Sequence, residues 1–451
     1  MRILFFKFLK SVLFPIRNAT PPLSDHRKEN ILPLDSETLL VLKFSGWGSL
    51  LNLHPLLSSL RASYPKARLI LVTFEKNREV SRHLRSCDKI VFLRDSEKES
   101  FPRKMFRILS LAWSIRRMGP QILLDMQLKS RKHLSLFLGL FSGATVRIGF
   151  AKGNDIGRLT LLTHPVYFND HQPLAFVIEQ IQLLLGLPKI LTLPPSFTEP
   201  GAIRPETTHH NSFKSLNSQT TLIINPNASQ LSYERRWPIT HFSGAIQKLL
   251  SRNPDLQIIL VGSAEEKDYV SELKGQAQSG NDRLTNLAGT LSFDGLIYLL
   301  KRAGCFLTND SGPLHLALMM GIPTVALFGP TRPDQVSIGF HPSRSIFLYE
   351  SIYCSPCVHE IIRPPCGGDN QCMKALRIES VVRAVETLLF RKRTRIHPEQ
   401  EWNPDNSQKP VFADTYPHGL FRDPPFEENR SHSQAFTFKN HSDFKSPRRL
   451  S

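Results

Sequence analysis

From Thr38 the chain repeats one unit: a short apolar run, a turn of small residues, a stretch of helical periodicity, and a further apolar run. Leu39-Leu40-Val41-Leu42 leads into Phe44-Ser45-Gly46-Trp47-Gly48-Ser49, then a helical pattern from Leu50 to Leu60, then the run Leu69 to Phe74. Apolar runs at Lys89 to Leu93 and Gln121 to Asp125 follow, separated by helix-like stretches at Met105 to Arg117 and His133 to Ser142. Such alternation with short connections predicts a parallel sheet covered by helices, an α/β fold. After Leu187 the periodicity stops in a stretch rich in Pro, Thr and Ser, and it restarts with Leu222-Ile223-Ile224, a helix over Phe242 to Leu250, a strand over Gln257 to Val261 and a helix over Lys267 to Ala277. A second open sheet is therefore expected.

This pattern divides the chain into a basic and apolar N-terminal segment (1–37), a first Rossmann-like domain (38–187), a linker (188–217), a second Rossmann-like domain (218–390) and a tail (391–451) with almost no periodic apolar face. The tail has too little to bury to offset its ordering entropy and is expected to be disordered. At 451 residues the chain exceeds one ordinary core, and its 41% hydrophobic content is enough for two.

A formal charge of +18 draws such a chain toward nucleic acid, anionic lipid or a phosphorylated substrate. No zinc-finger spacing, RNP-like strand or basic heptad accompanies the charge, so no nucleic-acid partner is expected. Met1 to Arg17 alternates Phe, Leu and Ile with Arg2, Lys7, Lys10 and Arg17, a pattern that suits a short amphipathic helix at a membrane surface and equally a loose terminus. No long apolar run ends in a small-residue cleavage site, and a cytoplasmic protein is expected.

The most chemical segment is Cys305-Phe306-Leu307-Thr308-Asn309, a strand, followed by Asp310-Ser311-Gly312-Pro313 turning into a helix that holds His315. Asp310 or Ser311 can cap that helix, and the small residues let an anion approach the backbone N–H groups at its start. In an open α/β sheet this turn lies at the carboxyl end of a strand, where ligands bind.

The longer run from Asp310-Ser311-Gly312-Pro313-Leu314-His315-Leu316-Ala317 through Gly321-Ile322-Pro323 to Phe328-Gly329-Pro330-Thr331 resembles the signature of glycosyltransferase family 9, the heptosyltransferase-like enzymes. The resemblance covers roughly Thr38 to Phe390. It implies a GT-B fold, two doubly wound Rossmann-like domains facing each other across a cleft, with the nucleotide-diphospho sugar on the C-terminal domain and a lipopolysaccharide core or related anionic glycolipid acceptor on the N-terminal one. It implies inverting transfer, typically from ADP-heptose, with no cofactor required for catalysis and peripheral contact with the cytoplasmic face of the inner membrane.

By the same resemblance Asp310, Ser311, Gly312 and His315 surround the diphosphate, and Arg235 of Arg235-Arg236-Trp237-Pro238 adds compensating charge. Glu266 takes the ribose, in preference to Glu265, and Leu291 packs on adenine. The glycine turn departs from the family pattern: where an Asp follows the glycine as general base, this chain has Ser49, a hydroxyl that takes no proton at neutral pH as a carboxylate does. Two rescues stand open. Asp125 or His54 acts as base, or Ser49 only orients the acceptor. The alternative is a catalytically impaired homologue that binds nucleotide sugar and serves as an assembly partner.

Lys129, Arg131, Lys132, Arg147 and Lys152 form a basic group that suits an anionic acceptor, or ordinary solvated charge. Cys354, Cys357, Cys366 and Cys372 fall in one short segment with His359, and a Cys-x-x-Cys pair with two further thiols can hold a structural zinc, although the second spacing is unusual.

Overall fold

The computed structural model describes residues 38–390 except 45, 95–99, 129–131, 154, 169–173, 189–215, 218, 229–232, 279–281, 334–343 and 359–364. The amphipathic N-terminal segment, nearly all of the expected linker and the tail lie outside the described residues.

Two six-stranded sheets, all parallel, make the frame. The first comprises β1 (Thr38–Leu42), β2 (Arg68–Phe74), β3 (Lys89–Leu93), β4 (Ile122–Asp125), β5 (Val146–Ala151) and β6 (His164–Tyr167) in the order β3-β2-β1-β4-β5-β6. The second comprises β7 (Thr221–Asn225), β8 (Gln257–Leu260), β9 (Leu284–Asn286), β10 (Cys305–Asn309), β11 (Thr324–Phe328) and β12 (Ser345–Tyr349) in the order β12-β11-β10-β7-β8-β9. Counted from its own first strand, each sheet has the same winding. The first and fourth strands lie side by side, and the chain then runs outward in opposite directions. Their central strands are apolar on both faces because helices cover both: every residue of β1, β7, β10 and β11 is buried.

Between the first and fourth strands the connections diverge, and a crevice opens beyond their carboxyl ends. In the N-terminal lobe that crevice is filled from within. Asp125, the last residue of β4, is 1% exposed. Its Oδ2 accepts from Arg158 Nη2 at 2.6 Å and from Ser135 Oγ at 2.7 Å, and its Oδ1 accepts from the Gln127 N–H at 3.1 Å. Arg158 also donates to the Gln127 carbonyl, and Lys43, one residue past β1, donates to the Met126 carbonyl at 2.7 Å. Burial pushes the Lys43 ammonium down to about 8 and raises the Asp125 carboxyl against the pull of Arg158.

The lobes belong to one compact unit, and their cores run together. The short helix Trp47–Leu51 of the first lobe packs on the helix Gly312–Met319 of the second, and one apolar cluster holds Leu50, Leu51 and Leu53 together with Phe293, Leu316 and Ala317. Trp47 meets Phe293 edge to face at 4.9 Å, and His83 Nε2 lies 2.9 Å from Asp294 Oδ1. Among the described residues no helix is long and apolar enough to cross a membrane.

Removing one partner of a buried pair leaves the other charge uncompensated. We expect Arg158→Met to lower the unfolding free energy by about 3–5 kcal/mol in urea titration. A loss below about 1 kcal/mol would show that Asp125 does not depend on this cation.

Candidate functional site

The second lobe lines its crevice with neutral side chains rather than an ion pair of the Asp125 kind. β7 ends in Asn225 and β10 in Asn309, and three buried carboxamides tie these strand ends together. Asn225 Nδ2 donates to Thr308 Oγ1 at 3.2 Å and to Ser311 Oγ at 3.1 Å. Asn227 Nδ2 donates to Asn225 Oδ1 and to the Val261 carbonyl. Asn309 donates to the Pro226 carbonyl at 2.9 Å, and its Oδ1 accepts the Trp237 N–H at 3.1 Å. The turn from Thr308 to Gly312 is thereby fixed before any ligand arrives.

Asp310 follows, and its Oδ2 accepts from Thr331 Oγ1 at 2.8 Å and from Arg235 Nη1 at 3.3 Å. The carboxylate faces a guanidinium, so it acts by holding the cation in place rather than by meeting an anion itself. Ser311 stands at the N-cap of the Gly312–Met319 helix, yet its hydroxyl turns to Asn225 and Thr308 and makes no cap bond. The capping expected of Asp310 or Ser311 is therefore not formed. The first turn has no side-chain cap, Pro313 brings no N–H, and the positive end of the helix is left for an external acceptor.

His315, one turn in, is buried against the other lobe. Its Nδ1 lies 3.4 Å from Asn52 Nδ2, and a Cβ placed on Gly48 would stand 2.1 Å from its Cδ2. Burial lowers its pKa, with Asp310 pulling weakly the other way, which favours the neutral ring. Gly312 faces Trp47, whose Cβ would lie 3.3 Å from a Cβ at that position. The start of the helix, Arg235 beside Asp310, and the Gly46-Trp47-Gly48-Ser49 turn thus come together. Ser49 is half-buried within the 47–51 helix.

The two rescue bases are both buried and hydrogen-bonded within the first lobe. Asp125 has one oxygen on Arg158 and Ser135 and the other on the Gln127 N–H, and His54 is buried with its Nε2 3.2 Å from Ser58 Oγ of its own helix. Glu266 closes a capping box with Ser263, accepting the Ser263 N–H at 2.9 Å, while its other oxygen lies 3.9 Å from Arg236 Nη2. Leu291 is half-buried against the shared core.

Of the basic group, Lys129, Arg131 and the Lys132 side chain lie outside what is described. Arg147 is used internally, donating to the Leu161 and Ala144 carbonyls, and Lys152 stands over the Phe168 ring. Cys357 and Cys372 are buried, Cys372 within the second lobe's core, and Cys354 and Cys366 are half-buried. Among the described residues no group of three or more His, Cys, Asp or Glu is placed to hold a metal ion, and His359 lies outside them.

Sequence reasoning missed Asn227, Asn309 and Thr331 as supports of the turn, and Trp47, Asn52, His83 and Asp294 as the contacts between lobes. A signal existed for the amides: two short, mostly apolar strands each close on Asn.

Residues 108–364 match the family described as glycosyltransferase family 9 (heptosyltransferase). The chain belongs to glycosyltransferase family 9. Lipooligosaccharide heptosyltransferase 2 of Campylobacter jejuni serotype O:2 is 29% identical over 174 residues, 38% of this chain and 52% of that one. Lipopolysaccharide heptosyltransferase 2 of Salmonella typhimurium is 31% identical over 135 residues, 30% of this chain and 38% of that one. The chain thus spans about half, or less, of the length of these curated relatives.

Two solved structures share the GT-B fold of this family 9 chain. The ADP-heptose lipopolysaccharide heptosyltransferase II of E. coli has 20% identity and a TM-score of 0.57, covering 78% of this chain and 98% of that one. The family 9 glycosyltransferase of Veillonella parvula has 19% identity and a TM-score of 0.62, covering 79% and 98%. The family match contains Arg235 and the Asp310 to His315 segment, whereas the Gly46 to Ser49 turn precedes it.

A methyl group at residue 48 must displace the buried His315 ring or part the lobes. Overpacking of this kind is expected to cost Gly48→Ala about 1–3 kcal/mol in urea unfolding. Unchanged stability would show that the helices do not meet this closely in solution.

Proposed function

We propose that this chain moves a sugar, heptose, from a nucleotide-diphospho donor, ADP-heptose, to a lipopolysaccharide core or related glycolipid acceptor. The observation that carries the reading is the Arg235 guanidinium, held by Asp310 beside an uncapped helix start in the second lobe's crevice. Transfer with inversion is a single displacement. The acceptor oxygen attacks the anomeric carbon from the face opposite the diphosphate, the new C–O bond forms as the bond to phosphate breaks, and the acceptor proton leaves to a base. Negative charge then builds on the departing nucleoside diphosphate. Preorganised N–H groups and a guanidinium stabilise it where it develops, and this is the metal-independent arrangement we assign. Glu266 takes the ribose and Leu291 the adenine in this reading, and the acceptor lies on the first lobe. A glycolipid acceptor puts the protein at the cytoplasmic face of the inner membrane as a peripheral protein.

Ser49 favours a second reading, in which the chain binds nucleotide sugar but turns it over poorly. Asp125 paired to Arg158 and His54 turned to Ser58 support that reading, since each already has a partner.

Calorimetric titration with ADP and ADP-heptose tests the site. Hydrogen bonds to charged groups contribute about 1.5–3 kcal/mol, so Arg235→Ala should weaken binding by roughly 10- to 100-fold. Asp310→Ala should weaken it through the same cation. No binding of either nucleotide by the unaltered chain would overturn the proposal. Turnover separates the two readings, because a positioned base contributes about 10²- to 10⁴-fold. If Ser49→Asp raises the rate by about 100-fold or more, the chain is base-impaired. If measurable turnover is unchanged by that substitution, another group accepts the proton.

A further inference from the structure

The helix Phe101–Arg117 of the first lobe has two apolar faces, and only one of them is covered. Its inner stripe, Ile108, Leu111, Ala112 and Ile115, packs into the core beneath the sheet. On the opposite side Pro102, Phe106, Leu109 and Trp113 recur at spacings of four, three and four residues, the period that aligns side chains along one helix face. Phe106 is 75% exposed, Trp113 59% and Leu109 46%, and Phe101 at the helix start is 66% exposed. Four of the ten large apolar side chains that stand exposed among the described residues are thus on this one helix. A soluble chain does not leave such a stripe open without a partner.

The charges beside the stripe identify the partner's chemistry. Arg103, Arg116 and Arg117 are exposed, and Arg117 lies over the Trp113 ring at 4.0 Å. The helix contains no Asp or Glu, while it carries five cations. A second copy of the chain set against this face would bring like charges together, which disfavours self-association. An anionic bilayer surface satisfies both features, since aromatic rings enter the headgroup boundary while arginines meet lipid phosphates. With its inner face held in the lobe, the helix lies along the surface and does not span.

We infer that the outer face of the Phe101–Arg117 helix is the surface through which this protein docks on an anionic membrane. This deepens the membrane placement proposed above and rests on that reading only for the identity of the membrane, not on catalysis.

The test uses the full chain and vesicles of phosphatidylcholine with or without phosphatidylglycerol, free of acceptor and nucleotide sugar, so a failed transferase reading leaves it intact. We expect co-sedimentation with the anionic vesicles that falls as salt rises. Brominated lipid should quench a tryptophan signal that disappears in Trp113→Phe while binding persists. The pair Phe106→Ser and Trp113→Ser should weaken binding at least about tenfold. Each of Arg103→Ser, Arg116→Ser and Arg117→Ser should weaken it about fivefold. Circular dichroism and the thermal midpoint of each variant confirm that it folds. The proposal fails if the unaltered chain does not bind, or if the double variant binds as tightly, which would move docking to Met1 to Arg17. It fails also if sedimentation shows a dimer that the double variant disperses, which would make the face a protein interface.

Discussion

The two lobes are joined where one helix start lies against another, and the contact depends on a missing side chain. Gly48 lets the His315 ring approach the backbone of the first lobe, where Asn52 takes its Nδ1. Trp47 then spans the joint, lying against Gly312 on one side and Phe293 on the other. Through these contacts the turn that carries Ser49 and the helix expected to take the donor's phosphate stand on facing surfaces. Any loss of the close approach at Gly48 moves both halves of the site at once.

The lobes share one winding, so each has a crevice between its first and fourth strands, and they use it oppositely. The first lobe closes its crevice with Lys43, Asp125 and Arg158, where the attraction of Asp125 for both cations and their hydrogen bonds offset part of the cost of taking charges from water. The second lobe lines its crevice with neutral amides, which cost less to bury when bonded and leave the local field to Arg235 and the helix. Besides the Arg235–Asp310 pair, that crevice holds the uncapped start of the Gly312–Met319 helix, whose dipole favours an anion.

Much of this architecture was legible from Leu39 onward because parallel strands buried on both faces leave an unbroken apolar run. β1, β2, β3, β4 and β10 are long or apolar enough to be read directly. β6 and β9 are short edge strands, His164–Tyr167 and Leu284–Asn286, with too few apolar residues to stand out from loop. The segment around Asp310 was legible because its residues are contiguous. The pairing of Asp310 with Arg235, 75 positions away, was not, since local sequence has no term for a contact closed by a sheet. The pairing of Asp125 was hidden for the same reason. A carboxylate at a strand end has the sequence signature of a catalytic base, and the arrival of Arg158 from a later helix is closed only by the fold.

The helix Phe101–Arg117 shows the converse limit, in which periodicity is present but ambiguous. Helical spacing fits its inner stripe and its outer stripe equally well, and composition alone assigns neither to the core. What separates them is the sheet, which can cover one side only. The covered side contains the aliphatic residues Ile108, Leu111 and Ile115, whereas the open side has Phe106 and Trp113, with Leu109 between them and arginines on its flanks. Aliphatic side chains fill a close-packed interior well. Aromatic rings beside guanidinium groups suit a boundary between apolar and polar media. The division of side-chain types between the two faces is thus the physical mark of two different environments, one supplied by the fold and the other left to be supplied from outside.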